Sequence, residues 1–181
     1  MKNAGRTFLC LVITLALVLG GLALGARKGW TAKAGKITDM VEQEGGLKSI
    51  LALRATDAGN LLVVARRHLD KEDARIQAVA QARDVLKSES SSLSQKHEAN
   101  QALTDAVGTL ADALKSQKSL QGDPKDLNYV IALTKALEVY LDGEAVAAYN
   151  DAAGAYNKGL RESFSGWFAM LTGVPQMQLF D

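Results

Sequence analysis

The sequence predicts an all-α fold, an elongated antiparallel bundle of three to four long helices behind a single N-terminal transmembrane helix. Three observations lead to this prediction. An uncharged apolar run fills residues 8–26. Beyond it, apolar residues recur at steps of three and four and nowhere sustain the two-residue alternation of a strand. The two prolines, Pro124 and Pro175, stand where helices are expected to begin or end.

Residues 1–7 form a short N-terminal tail, and residues 8–26 have the length of a membrane span. At about 1.5 Å per residue, this run makes a helix of roughly 28 Å, close to the thickness of the hydrocarbon core. Small residues at Ala23 and Gly25 suit cleavage of a signal peptide. Arg27 and Lys28 favour a retained anchor instead, because positive charge just past a cleavage site opposes export. We expect the anchor, and the signal peptide remains the alternative.

Charge on the two sides of the span bears on its orientation. Two basic residues precede the span and four follow it closely: Lys2 and Arg6, then Arg27, Lys28, Lys33 and Lys36. The positive-inside rule therefore favours the cytoplasmic side for the domain behind the span.

Composition limits what that domain does. The 181-residue chain leaves 156 residues beyond Gly25, enough for one domain with a substantial core. With Lys2 and Arg6 set aside, 19 basic residues face 20 acidic ones, a net charge of −1. Such a balance gives no electrostatic basis for binding nucleic acid. The one cysteine, Cys10, lies inside the apolar run, so an internal disulfide is excluded.

Glycine, serine and proline mark the expected interruptions of the helices. The glycine pair 45–46 interrupts the first apolar stripe and is expected to mark a bend or a frayed turn in the first helix. The serine-rich run 88–92 separates the next two stripes, and a break between helices is expected there. Residues 123–124 begin a further helix, with the aspartate as N-cap and the proline at the first helical position. Asp70 is the expected N-cap of the helix that contains the second stripe.

The last helix is expected to be the longest. Its apolar stripe runs from Val130 to Phe164, which gives a helix of about forty residues and roughly 60 Å. This helix completes a bundle assigned to residues 30–164. A short amphipathic tail, residues 165–181, follows it and contains Trp167.

Two Tyr-Asn pairs lie seven residues apart near the end of the chain. Seven residues are close to two helical turns, so both tyrosines share one helix face. The pairs and the aromatic residues behind them resemble the pattern of the LemA family of bacterial membrane-anchored helical proteins, roughly YN-x5-YN, Phe-Pro, Ala, Gly-Phe and a terminal Phe-acid. The residues that carry the resemblance are Tyr149, Asn150, Tyr156, Asn157, Phe164 and Phe180.

The resemblance implies a helical bundle anchored in the bacterial inner membrane, with the cytoplasmic side as the usual suggestion for the domain. It implies no particular reaction. The chain departs from the family pattern at several positions, so it resembles a divergent member. Ser165 stands in place of proline, Val139 in place of asparagine, and Arg54 is a single arginine where the family has two.

Polar residues on or beside the apolar stripes are the candidate site. Two interpretations are open. The residues form a polar layer that fixes helix register or binds a small anion, or the arginines lie at stripe edges with their charged ends in water. We expect Tyr149 and Tyr156 to be buried as core residues. The candidate polar residues are Arg54, Arg83, Glu138, Asn150 and Asn157.

No pattern in the sequence indicates catalysis. His68 and His97 lack further ligands at metal-binding spacing, so both are expected to be solvated surface residues. No glycine-rich phosphate loop is present, and no serine stands in a nucleophile motif. We therefore predict a protein that is not an enzyme and has no cofactor or metal.

The predicted function is that of an interaction or scaffold module at the bacterial membrane. Its partners are the lipid bilayer and proteins that the sequence does not identify, and homo-oligomerisation is left open. Two alternatives remain. One is an envelope sensor with a small-ligand-binding helical domain, and the other is a helical protein secreted after signal-peptide cleavage.

Overall fold

The computed structural model describes the backbone of residues 2–139 and 144–181, and the side chains of residues 7–138 and 144–181. These ranges are mostly helical and contain no strand, and residues 174–181 follow the last helix as non-helical chain. The all-α class is therefore confirmed. The chain divides into two units, Met1–Asp39 with Asp151–Met177 and Met40–Asn150 with Gln178–Asp181.

The first helix, α1 (Lys2–Glu42), contains the apolar run. Large apolar side chains along it are exposed, among them Phe8 at 71% and Leu17 at 72%. Among the residues that the structure describes, one helical stretch, at the N-terminal end, is long and apolar enough to cross a membrane. A signal sequence satisfies the same criterion.

Five helices follow in the second unit: α2 (Leu47–His68), α3 (Ala74–Lys87), α4 (Leu93–Lys115), α5 (Lys118–Gln121) and α6 (Pro124–Val139). Helix α2 packs against α3, α4 and α6, and α3 packs on α4. Their facing apolar stripes make the core, because a helix side chain meets its neighbours three and four residues away. Among the fully buried core residues are Leu47, Leu61, Leu62, Ile76, Leu103, Leu110 and Leu114.

The breaks predicted at residues 88–92 and 123–124 are confirmed. At the glycine pair, where a bend or a frayed turn within the first helix was expected, the structure has a full break between α1 and α2. Helix α1 ends before the glycine pair, and Gly45 has φ +76°, a conformation that side chains with a Cβ rarely adopt. Ser92 begins α4 with a capping box, in which its side chain accepts from Gln95 N and Gln95 accepts from Ser92 N. Asp123 caps α6 by accepting from two backbone N–H groups.

The predicted N-cap of α3 was wrong by three residues. Asp73, not Asp70, precedes the helix, and its side chain accepts from Arg75 N at 2.9 Å. Asp70 instead accepts from Glu72 N in a turn outside the helix. Both aspartates are suitable caps, but the Asp73 carboxylate also binds the Arg75 guanidinium, which lowers the pKa of Asp73 to about 2.

The predicted last helix corresponds to two described helices, α6 and α7 (Glu144–Glu162). Its continuity across residues 140–143 lies outside the described residues. Its end was predicted two residues too late, because Ser163 begins a separate helix, α8 (Phe164–Leu171), by accepting from Gly166 N. Phe164 is consequently not an inward residue of the long stripe, and 72% of its surface is exposed.

Candidate functional site

The first Tyr-Asn pair lies in the part of α7 that belongs to the second unit, and it binds the tail segment, residues 174–181. Tyr149 is 1% exposed, and its hydroxyl donates to the Gln178 carbonyl at 2.5 Å. Asn150 makes two bonds to one residue: Nδ2 donates to the Phe180 carbonyl at 2.9 Å, and Oδ1 accepts from Phe180 N at 2.8 Å. The Asn150 amide thus completes the hydrogen bonding of both backbone groups of Phe180.

The second pair repeats this arrangement within the first unit. The Tyr156 hydroxyl donates to the Pro175 carbonyl at 3.4 Å. Asn157 Nδ2 donates to the Met177 carbonyl at 2.8 Å, and its Oδ1 accepts from Met177 N at 2.7 Å. Tyr156 is 5% exposed and meets the Trp30 ring edge to face at 5.3 Å. The predicted burial of both tyrosines is confirmed, and burial raises the pKa of both phenols.

The spacing of the two pairs has a geometric explanation. Seven helical residues rise about 10.5 Å. The matching tail partners, Pro175 and Gln178 for the tyrosines and Met177 and Phe180 for the asparagines, are three residues apart. Three residues of non-helical, extended chain cover about 9–10 Å. One repeat of the helix is therefore close in length to one repeat of the tail, and each pair binds main-chain atoms rather than tail side chains.

Within the second unit, the end of the tail is also held by α4. Phe180 is 2% exposed and packs edge to face on His97 at 5.1 Å. Gln178 Oε1 accepts from Leu93 N at 3.1 Å. His97 is half-buried, contrary to the solvated histidine predicted, because Phe180 covers it.

Arg54 is the most deeply buried charged side chain of the described residues, with 0% of its surface exposed. Its Nη2 donates to Thr104 Oγ1 at 2.9 Å, and Thr104 donates onward to the Asn100 carbonyl at 3.1 Å. Arg54 Nε and Nη1, and Asn100 Oδ1, have no hydrogen-bond partner among the described residues. Burial lowers the pKa of Arg54, because desolvation disfavours the charged form.

Two of the five candidate polar residues lie on one cavity. Arg54 and Glu138 both line a space of about 430 Å³ between α2, α4 and α6. Glu138 is exposed, and no ion pair joins it to Arg54 in the described chain. Arg83 instead donates to Asp84 Oδ1, its own neighbour in sequence. Asn150 and Asn157 bind the tail, as described above.

Replacement of Arg54 by methionine is expected to stabilise the protein. Methionine has a similar length and removes a buried charge that forms no ion pair among the described residues. Replacement of buried charges by apolar side chains of similar volume is often neutral or favourable by about 1–4 kcal/mol. We expect Arg54→Met to raise the free energy of unfolding by about 1 kcal/mol in denaturant titrations. Arg83→Met, which removes a partly exposed arginine, is the control and is expected to change it little. A loss of stability in Arg54→Met would show that the hydrogen bonds of the guanidinium, such as the one to Thr104, outweigh the cost of burying its charge.

A second polar cluster, which the sequence did not predict, joins the end of α2 to α5 and α6. His68 Nε2 lies 3.0 Å from Asp126 Oδ2, and its Nδ1 lies 3.1 Å from Ser119 Oγ. Arg67 Nη1 donates to both Asp126 oxygens, at 2.9 and 3.1 Å. The His68 side chain is only 7% exposed, so its prediction as a solvated residue was wrong. The sequence carries only a general signal, basic residues in the last turn of α2 and an acid in the first turn of α6.

The cluster links a serine, a histidine and an aspartate by consecutive hydrogen bonds, as a catalytic triad does. It lies, however, where the ends of three helices meet. Arg67 and His68 both form hydrogen bonds to the Asp126 carboxylate, so its negative charge is shared between two donors. Ser119 is exposed on a four-residue helix and does not line the adjacent groove between α2 and α6. Acyl transfer requires a bound substrate carbonyl beside the nucleophile and donors for its oxyanion. The arrangement accounts directly for the attachment of α6 to the end of α2.

The pH dependence of stability tests the Asp126 cluster. The bonds from His68, then from Arg67, hold the pKa of Asp126 below its ordinary value of 3.8. A depressed carboxyl pKa contributes stability that is present above 3.8 and is lost as pH falls through the folded value. Asp126→Asn is therefore expected to lower the melting temperature at neutral pH, with a difference from the wild type that shrinks below pH 3.8. Asp112→Asn, at a side chain 82% exposed, is the control. A constant difference at all pH values would contradict this role.

Comparison with protein families identifies the chain. The model of the LemA family matches residues 43–181, which include α2 to α8, both Tyr-Asn pairs and the tail segment that they bind. Neither the comparison with curated proteins nor the comparison with solved structures finds a match. Because the match extends over more than half of the sequence, the chain belongs to the LemA family.

Proposed function

We propose that this protein is a membrane-anchored, non-enzymatic interaction module that binds partner proteins at the bacterial inner membrane through its helical bundle. The apolar run in α1 supports the anchor. The observation that carries the binding role is a groove between α2 and α6 in the second unit, with a volume of about 520 Å³.

The groove is lined by both apolar and polar side chains. Val63 and Tyr129 line it and are 52% and 45% exposed, although both are large apolar side chains on well-formed helices. Arg67, Lys125 and Asp126 also line the groove, two cations and one carboxylate. An exposed apolar surface combined with polar side chains is typical of protein-binding sites. The excess of positive charge favours a partner segment with acidic residues, and the apolar part of the groove favours an amphipathic helix.

Site-specific photo-crosslinking in intact membranes tests this proposal. A photoreactive residue at Val63 is expected to crosslink to a partner, and the mapped peptide is expected to be acidic and amphipathic. Lys125→Glu in the same protein is expected to reduce the crosslink yield. Leu53, which is 47% exposed on α2 outside the groove, is the matched control position. Equal crosslinking from both positions, or no sensitivity to Lys125→Glu, would contradict the proposal.

The anchored state has a separate test. Mass spectrometry of the membrane fraction is expected to find residues 8–26 retained, and protease added to the outside of intact spheroplasts is expected to leave residues 30–181 uncut. A soluble chain beginning at Ala26 would instead support the secreted alternative. Digestion by external protease would place the bundle in the periplasm.

The absence of catalysis is tested at Ser119, the serine nearest to a histidine base. A fluorophosphonate probe modifies serines that an adjacent base activates. We expect no labelling of the purified full-length protein, and Ser119→Ala provides the background signal. Labelling that disappears in Ser119→Ala would show an activated nucleophile and overturn the non-enzymatic assignment.

The Arg54 cavity supports a second candidate function, the sensing of a small anion. Three N–H groups on Arg54 Nε and Nη1 find no acceptor among the residues that the structure describes, and a carboxylate or phosphate would supply acceptors for them. Thermal unfolding with added phosphate or acetate tests this function. Stabilisation of the wild type that is absent in Arg54→Met would support it, and equal responses of the two proteins would exclude it.

A further inference from the structure

Helix α8 is unusually apolar for a helix with an exposed face. None of its residues, 164–171, carries a charge. Phe164, Trp167 and Leu171 are 72%, 51% and 65% exposed, and their spacing of three and four residues places them on one stripe. Phe168 and Ala169 are buried on the other side. The helix therefore presents an aromatic and aliphatic face that no described part of the chain covers.

The position of α8 within the first unit is defined by its contacts with α1. Trp30 Nε1 donates to Ser165 Oγ at 3.3 Å. A cavity of about 380 Å³ lies between the two helices, with Phe164 and Phe168 on the α8 side. On the α1 side its lining includes Gly21, Leu22, Gly25, Ala26, Gly29 and Lys33. Helix α8 thus lies beside the C-terminal end of the apolar run.

Close packing of glycines holds α8 in this position. A Cβ on Gly166 would overlap the backbone carbonyl of Leu160, so only glycine permits α8 to approach α7 this closely. A Cβ on Gly159 would lie 2.9 Å from the Trp30 ring, which in turn packs on Tyr156. These contacts join α8, α7 and α1 within the same unit, so the exposed face of α8 has a fixed direction.

These observations fit one occupant. Gly21 lies five residues before the end of the apolar run, which is about 7.5 Å deeper along the helix axis. A helix beside residues 21–30 would therefore lie at the boundary between acyl chains and headgroups, where amphipathic helices bury their apolar faces about 5–10 Å. Tryptophan is enriched at this depth, and a nearby lysine extends towards the headgroups. Lys33 Nζ lies 4.2 Å from the centre of the Trp30 ring.

We propose that α8 is a second membrane contact, which inserts Phe164, Trp167 and Leu171 into the interfacial layer of the bilayer beside the anchor. The proposal rests on the membrane-anchored state proposed above. Its consequence is that the first unit is attached to the lipid at two places, so its orientation at the surface is restricted. A second copy of the chain or a partner protein on the same face are the competing occupants, and the experiment separates them from lipid.

Tryptophan fluorescence of the full-length protein in vesicles of phosphatidylethanolamine and phosphatidylglycerol is the test. The chain has two tryptophans, so Trp30→Phe leaves Trp167 as the one tryptophan, which is excited selectively at wavelengths that tyrosine does not absorb. We expect blue-shifted emission, loss of most of its intensity when the acyl chains carry bromine near the headgroup, and weaker quenching when the bromine lies near the methyl end. Aqueous iodide is expected to quench it little. Flotation of the vesicles verifies separately that the anchor is inserted.

Each other outcome has a distinct meaning. Flotation together with strong iodide quenching would show an inserted anchor and an α8 in water, which overturns this inference alone. Protection from both quenchers would show a protein occupant and also overturns it. Failure to float after alkaline extraction would overturn the anchor.

A spin label keeps the inference testable if Trp30→Phe disturbs the fold. Cys10→Ser removes the one cysteine, and Leu171→Cys introduces a labelling site on the exposed face of α8. We expect the label to collide more often with oxygen, which partitions into lipid, than with a water-soluble nickel complex. Thr109→Cys, at an exposed position on α4, is the control and is expected to show the reverse. Equal preference for the nickel complex at both positions would overturn the inference.

Discussion

Tyr156→Ala is expected to lower the free energy of unfolding by about 3 kcal/mol, the usual cost of truncating a buried aromatic side chain. Tyr156 is 5% exposed and packs on Trp30, and this chain has few aromatic residues with which to fill its core. Removal of the ring leaves a cavity beside Trp30 and removes a hydrogen bond to the tail. Denaturant unfolding of the detergent-solubilised protein, followed by circular dichroism, measures the loss.

Tyr156→Phe is the control that separates the ring from the hydroxyl. The hydroxyl donates to the Pro175 carbonyl at 3.4 Å, a long bond, so the expected cost is at most about 1 kcal/mol. A Tyr156→Ala protein with unchanged stability would show that the ring is not part of the core. If that protein also lost a partner interaction, Tyr156 would be a recognition residue instead.

Asn157→Ala is expected to cost about 2–3 kcal/mol, because it removes two hydrogen bonds and leaves two backbone groups of Met177 without their partner. Both bonds are short, 2.8 and 2.7 Å, and Asn157 is 7% exposed. Water replaces a lost partner poorly at a buried position, so the cost exceeds that of an exposed bond. The same unfolding measurement applies, with hydrogen exchange at Met177 N–H as the local readout.

An exposed asparagine provides the comparison. Asn128 lies at the surface of α6, and Asn128→Ala is expected to change stability by less than about 0.5 kcal/mol. If Asn157→Ala behaved like Asn128→Ala, and exchange at Met177 stayed slow, the tail would be held without the asparagine.

The sequence predicted the features of this fold that depend on local chemistry. Glycine at residues 45–46, serine at 92 and the Asp123-Pro124 pair act on the backbone within a few residues, and each coincides with an observed helix boundary. Local chemistry did not decide which aspartate, Asp70 or Asp73, caps α3. Both residues are good N-caps, and the observed cap, Asp73, also forms an ion pair with Arg75.

Partners that are distant in sequence were beyond prediction. The asparagines were expected to satisfy backbone or arginine groups, but nothing in the spacing specified tail residues 20 and 30 positions away. His68 and Asp126 are 58 residues apart, and only the packing of α2 on α6 brings them together. The end of α7 was missed because Phe164 continues the apolar spacing, and helical periodicity alone does not reveal a change of helix axis.

Because the helix repeat and the tail repeat are similar in length, the bonds between them depend on the number of residues in the tail and not on the identity of its side chains. Because the pairs bind backbone atoms, substitution of an exposed tail residue such as Gln176 leaves both sets of bonds intact. A single residue inserted between Met177 and Phe180 displaces every later acceptor by about 3.3 Å, beyond hydrogen-bond reach. An insertion of three residues, combined with seven in α7 between the pairs, would restore the match. We therefore expect insertions between the two pairs, or between their tail partners, to preserve both sets of bonds only when the helix and the tail lengthen together.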